Sequence, residues 1–498
     1  MQQIGNDQLM SIQPNWVFST KAPISSYYRR PPEEHFPELP EWAEATTALV
    51  TLRSLLIQAG LDRLNYGSKE WNPLGPVIKK GAKVVVKPNW VHHRNGSGQG
   101  LDCLVTHTSV IEAILHYVAK ASPQSIVVGD APIQGCDFKA LLADRHVPPM
   151  VERFIANGMS IVLKDFRRTI LQSEKLGAQA QEECRPIEHY ILYDLGCESS
   201  LEAITNPSKS EFRVTMYNPD WMKQTHAPGK HQYLVARDVI DADVVINVPK
   251  LKTHKKACIT GALKNIVGIN GHKEYLPHHR KGGSQNGGDC YPGRSRLKSL
   301  VEELLDAVNR AQHTVVRQML ANTARAGMAL GKLVGTDNNY DGSWHGNDTV
   351  WRMALDLQRV LHYGATDGTL SNHVQRKVLT ITDAIIAGQG DGPLSPTPIE
   401  FGMLTLGVNV AAVEWVHALL MGLVPQQVPL TCEAFVPHRY SLADFVPEEI
   451  LVWVNGQPVP TSELFVQYGR AFRLPSGWQG HFEPGQLETS SSQLEESA

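Results

Sequence analysis

Residues 241–272 read DADVVINVPKLKTHKKACITGALKNIVGINGH. The run Val244–Val245–Ile246–Asn247–Val248 is short, β-branched and almost wholly apolar, as expected of a strand buried on both faces. Pro249 ends it. Lys250, Lys252 and His254 then occupy alternate positions, so an extended chain puts all three on one face. Thr260–Gly261–Ala262 follow and lead into Leu263, Lys264 and Asn265. A helix over residues 261–267 that begins near Thr260 would add amides suited to an anion. A solvated basic turn is the ordinary explanation for such a lysine run. Other strands in the chain that end the same way argue for a site instead.

Working outward, KVVVKPNW (83–90) is a second β-branched run, flanked by Gly81 and Pro88. A glycine-rich loop follows, then VTHTS and the helical pattern VIEAILHYVAKA, with Thr108 or Ser109 as N-cap and Glu112 in the first turn. SIVV (125–128) runs into Gly129–Asp130, and VPPMVERFIANG then MSIVLKD repeat the helix–strand alternation. Downstream, VLTITD (378–383) leads to the loop GQGDGPLSPTP, and GMLTLGVNVAAVEWVHALLMGL closes the series. This grammar predicts an α/β fold, a mostly parallel sheet flanked by helices, over residues 80–425. Residues 1–40 read as an extended surface arm and 42–60 as a helix. Insertions are expected at about 170–232, as an antiparallel flap, and at 273–340. Within the latter, residues 273–298 are glycine-rich and basic, and read as a mobile lid or a disordered insertion. A small β-rich extension (426–485) and a disordered polar tail (486–498) complete the chain.

The bulk numbers exclude several classes. A net charge of −3 over 498 residues argues against a general nucleic-acid binder. The seven cysteines form no Cys-x-x-Cys pair, which fits a reducing compartment and gives no support for an iron–sulfur cluster. The first residues, MQQIGNDQLMSIQP, show neither a basic n-region nor an apolar h-region. The most apolar window, 408–424, carries Glu414 and His417 and is no membrane span. The expectation is a cytoplasmic protein whose partner is a small anionic metabolite, not nucleic acid or membrane; its oligomeric state is not legible.

Ligands of open α/β sheets collect at the C-terminal ends of strands. Here those ends carry Lys87–Pro88–Asn89, Gly129–Asp130, Pro249–Lys250 and Asp383. Lys87, Lys250, Lys252 and Lys264 suit a phosphate or carboxylate, with Asn89 and Asn265 orienting it. His254, with lysines lowering its pKa, and Asp130 are the candidate proton-transfer groups, with Lys264 as a third catalytic candidate. Asp348 and Arg352, one helical turn apart, could contribute to binding. No P-loop, dinucleotide fingerprint, nucleophile elbow or closed metal-ligand spacing is present. The residues name neither a metal nor a cofactor.

In order along the chain, VVVKPNWV, VVGDAPIQG, the 241–271 block with PKLKTH and GALKN, and ITDAIIAGQGDGPLSPTP resemble the blocks of the DUF362 family, a domain of unknown function. Many members carry ferredoxin-type clusters; this chain lacks the cysteines, and its GNDTVWRMALDL is similar to longer members without them. The ten-residue spacing of His254 and Lys264 is also similar to that of nickel-pincer lactate racemases. Three functions follow as expectations: a proton-transfer enzyme on an anionic metabolite, a non-catalytic anion-binding or scaffold protein, and a metal- or nickel-pincer-dependent racemase- or epimerase-like enzyme.

Overall fold

The fold is built on apolar runs that must be covered on both sides. In this computed structural model, residues 12–23, 36–43, 45–171, 180–181, 185–208, 211–333 and 340–482 are described. The central sheet comprises β1 (Trp16–Lys21), β2 (Lys83–Pro88), β3 (Ser125–Asp130), β4 (Ile161–Asp165), β5 (Val244–Val248), β6 (Lys250–His254), β7 (Cys258–Thr260), β8 (Lys377–Asp391), β9 (Ser395–Gly407), β10 (Leu451–Val454) and β11 (Gln457–Val459). Its spatial order is β11-β10-β1-β9-β8-β5-β2-β3-β4. The run β8-β5-β2-β3-β4 is parallel throughout, and β8–β9 is a long antiparallel hairpin. The fold is α/β.

β5 lies at the centre, aligned with β2 on one side and β8 on the other. Its alternate residues divide between two cores. Val245 joins one, while Val244, Ile246 and Val248 join the other. That is why the run shows no polar alternation: neither face meets water. Helices α1 (Thr47–Gln58) and α2 (Thr108–Lys120) cover the second face, and α3 (Val350–Tyr363) and α4 (Val410–Leu420) the first. His107 caps α2, its Nδ1 accepting from the Ser109 amide at 3.1 Å, one position ahead of the expected cap.

Pro249 ends β5, and β6 continues alongside the far half of β8, with Lys250 opposite Asp383 and Lys252 opposite Gly388. The long β8–β9 hairpin therefore carries the chain beyond the ends of β2 and β3, forming a rim. The flap expected at 170–232 is an antiparallel sheet of Tyr190–Asp194, Lys230–Ala236 and His226–Ala227.

Two expectations need correction. The arm reading fails at Trp16–Lys21: this aromatic and β-branched run is a buried strand between β9 and β10. Residues 273–298 are no disordered insertion. Leu276, Cys290 and Tyr291 are buried, and His279–Arg280 pair with Phe212–Arg213. The expected β-rich C-terminal extension is present as the antiparallel pair β10 and β11, which finish one edge of the sheet. Arm residues 1–11 and 24–35 and the expected tail lie outside the described residues.

Candidate functional site

The ends of β2, β3 and β6, the turn at residues 260–270, residues 273–278 and the β8–β9 rim enclose a cavity of about 1040 Å³. Lys87, Asn89, Asp130, Lys252, His254, Lys264 and Asn265 all line it. A ladder of amides fixes their order. Asn247 Nδ2 donates to the Ala262 carbonyl (3.0 Å), and Asn265 Nδ2 donates to Asn247 Oδ1 (2.8 Å). Asn265 Oδ1 accepts from Asn89 Nδ2 (2.9 Å) and Lys87 Nζ (3.1 Å), and Asn89 Oδ1 accepts from Lys252 Nζ (2.8 Å). Every amide group of Asn89 and Asn265 is thus engaged within the protein. Their visible work is to aim the lysines.

Lys87 and Asp130 form a buried ion pair at 2.7 Å, and Asp130 Oδ2 also accepts the Trp90 amide at 2.6 Å. Burial pushes the Asp130 carboxyl up and the Lys87 ammonium down, while their contact opposes both. Gly268 makes this pair possible: a Cβ there would meet Asp130 Oδ1 at 1.9 Å and Lys87 Nζ at 2.7 Å. The short helix Ala262–Asn265 starts as the sequence suggested, but its first amide is taken. Ala262 N donates to Glu414 Oε2 at 2.5 Å, so this helix end is not open to an anion.

His254 is buried, and its Nδ1 accepts the amides of Lys256 (3.0 Å) and Ala257 (3.2 Å). Two donors on Nδ1 place the proton of the neutral ring on Nε2. Burial, then Lys264, Lys256 and Lys252, hold its pKa well below the ordinary value. His254 is a neutral hydrogen-bond donor.

The lysines divide by partner. Lys87 has Asp130, Lys256 has Asp341 at 3.3 Å, and Lys255 lies 3.9 Å from Asp391. Among the described residues, no carboxylate lies within ion-pair distance of Lys252, Lys264 or Lys273. Lys252 donates only to Asn89 Oδ1 and the Leu104 carbonyl, and Lys273 meets His278 Nε2 at 3.0 Å. Lys264 has no hydrogen-bond partner among the described residues. Desolvation is the main cause that lowers all three, Lys252 and Lys273 to about 7 and Lys264 to about 8, and neighbouring ammonium groups add to it.

Three expected residues stand apart from this cavity. Lys250 is fully buried against Asp383 at 2.6 Å, and Asp383 also accepts the His107 amide. Arg352 folds onto Asp348 at 3.1 Å and donates to the Ser200 carbonyl, at the start of α3. Conversely, Lys256, Lys273, His278 and Asp341 line the cavity although sequence reasoning does not single them out. Lys256 is legible as the second lysine of KTHKKA. Lys273 and His278 lie in the segment that reads as a lid, where no periodicity marks them. Among the described residues no group of three or more His, Cys, Asp or Glu side chains could hold a metal ion. None of their helices is long and apolar enough to cross a membrane.

The chain is 22% identical over 386 residues to the thylakoid-associated protein sll1697 of Synechocystis, covering 78% of this chain and 74% of that one. A crystal structure of a Thermotoga maritima protein aligns over 70% of this chain at 10% identity and a TM-score of 0.30. The chain spans 56% of that structure's length, and a likeness this slight carries no argument. The motifs of β2 and β3 lie outside the residues matched by a family model, whereas the Lys250–Asn265 block and the β8–β9 hairpin lie inside them. That model is of DUF362, a domain of unknown function; it matches residues 208–418, and over them the chain carries a DUF362 domain.

Proposed function

We propose that this chain is an enzyme acting on a multiply charged anionic metabolite, with a proton-transfer step at Lys264. The observation that carries the reading is the set of three cavity lysines, 252, 264 and 273, none within ion-pair distance of a carboxylate among the described residues. Uncompensated buried charge costs several kcal/mol, and a bound anion removes that cost. Lys252 and Lys273 hold the anion, His254 donates Nε2–H to it, and Lys264 exchanges the proton because its pKa of about 8 lies near working pH. The Lys87–Asp130 pair fixes the cavity floor beside Lys264.

Titration calorimetry with citrate and inorganic pyrophosphate, and acetate as a monovalent control, tests this. Binding of a multivalent anion is expected, weakened about tenfold or more by Lys273→Met, the worth of one charged hydrogen bond. No binding, or binding indifferent to Lys273, overturns it. The locked tautomer of His254 favours a second reading, a non-catalytic anion-binding protein, in which Lys264→Met changes affinity and no turnover exists to lose. For a nickel cofactor, His254 offers only Nε2, and the described residues gather no metal-ligand set, so no step is routed through one. We place the protein in the cytoplasm: its described cysteines are all free thiols. The cyanobacterial relative's thylakoid association makes vesicle flotation the check; co-flotation would contradict this location.

A further inference from the structure

Three lysines share the uncompensated cavity wall, and they are not equivalent. Lys252 is fully buried and tethered to two oxygens, Asn89 Oδ1 and the Leu104 carbonyl. Lys273 is tethered to His278. Lys264 alone of the three has no hydrogen-bond or ion-pair partner among the described residues, and its side chain opens on the cavity. The groups acting on it are cationic Lys87 and Lys256 and anionic Asp130, which is itself held by Lys87. A desolvated lysine beside other cations keeps a share of free amine near neutral pH, the state in which nitrogen attacks carbonyl carbon. At about 8, Lys264 meets that condition.

We infer that Lys264 is a nucleophile that forms an imine with the carbonyl carbon of an anionic aldehyde or oxo acid held by Lys252 and Lys273. This deepens the proposed function and rests on it for the anion. The neutral amine adds to the carbonyl carbon, forming the N–C bond. The carbinolamine then loses its oxygen as water, which carries away both hydrogens of the original amine. No oxidant or reductant is consumed. One proton taken up from solvent turns the imine into an iminium, which withdraws electrons from the adjacent carbon, so a proton there can pass to water; the lysine nitrogen activates this proton transfer by its bond to carbon. Lys252 and Lys273 on the substrate's charge supply the orientation, and His254 Nε2–H supplies a neutral donor for an oxygen.

The full chain is incubated with pyridoxal 5′-phosphate, used purely as a phosphate-bearing aldehyde probe, and then reduced with borohydride. Reduction places a hydride on the carbon and a proton on the nitrogen, fixing the adduct for peptide mapping. Glyoxylate, pyruvate and 2-oxoglutarate are run in parallel. The expected result is one dominant site, Lys264, modified at least ~10-fold faster than exposed lysines such as Lys139, and protected by citrate or pyrophosphate. Adducts spread over exposed lysines, or centred on Lys252 or Lys273, overturn the imine. If calorimetry on the same protein still shows multivalent-anion binding, only the imine has failed. If it shows none, the proposed function has failed with it. Mapping uses the unmodified sequence, so the result does not depend on whether Lys264→Met folds.

Discussion

Lys250 and Lys252 lie two residues apart on β6, and neither is exposed to solvent. Lys250 meets the Asp383 carboxylate at 2.6 Å, and Asp383 is further held by backbone amides. Lys252 meets only the neutral oxygens of Asn89 and Leu104. One lysine is complete within the protein. The other, with Lys264 and Lys273, faces a cavity while carrying charge that the described residues do not neutralise. A buried lysine with its own carboxylate holds structure together, whereas one without is kept at a cost that a ligand offsets.

The comparison is broken most severely from the structural side. Asp383→Ala removes the carboxylate that meets the buried ammonium of Lys250, and is expected to cost ~3–5 kcal/mol in chemical denaturation. A variant that loses less than ~1 kcal/mol would show that Lys250 is not held as described. From the cavity side the sign reverses. Lys264→Met orphans no partner and removes an unfavourable charge, so the apo-protein should gain on the order of 1–3 kcal/mol near pH 7 while losing anion affinity. A loss of apo stability would place Lys264 among the structural lysines.

Gly268→Ala sharpens the contrast within the site itself. Its Cβ would collide with Asp130 and Lys87, so stability should fall by ~1–3 kcal/mol, and anion binding should weaken with it. Unchanged binding would separate the Lys87–Asp130 pair from the ligand. The gentlest probe is pH. Lys252, Lys264 and Lys273 have folded pKa values of about 7, 8 and 7, below that of a free lysine. Between those values and ~10.4 the unfolded chain binds more protons than the folded one, so apo stability rises with pH. The melting temperature at low salt should therefore climb from pH 7 to pH 9, and Lys264→Met should flatten part of the climb.

The central strands β2, β3 and β5 were legible because they are short β-branched runs punctuated by Pro88, Gly129–Asp130 and Pro249, and because period and punctuation are local properties. The strand-end site was legible for the same reason: Lys87 and Asp130 stand in the last two residues of β2 and β3, and Lys252 lies just beyond the end of β5. What stayed hidden depended on partners distant in sequence. Nothing near Lys250 announces that Asp383, opposite it on β8, will neutralise it. Nothing near Gly261 announces that Glu414 will occupy the first amide of the following helix. Lys273 sits in a glycine-rich stretch with no hydrophobic period, so only the tertiary structure reveals it as cavity wall. Trp16–Lys21 looked like part of an arm because its neighbours are proline-rich. Its two strand partners lie more than 380 residues away, at 403–407 and 451–454.

The central claim is that uncompensated lysines await an anion, and proton linkage tests it most directly. Citrate binding is measured by calorimetry at pH 8 in two buffers of different ionisation enthalpy, since citrate is already a trianion there and takes no part in the proton balance. An anion beside partly deprotonated lysines raises their pKa, so the complex should take up protons, and affinity should fall as pH rises from 7 to 9. Binding without proton uptake, or no binding at all, would contradict the account.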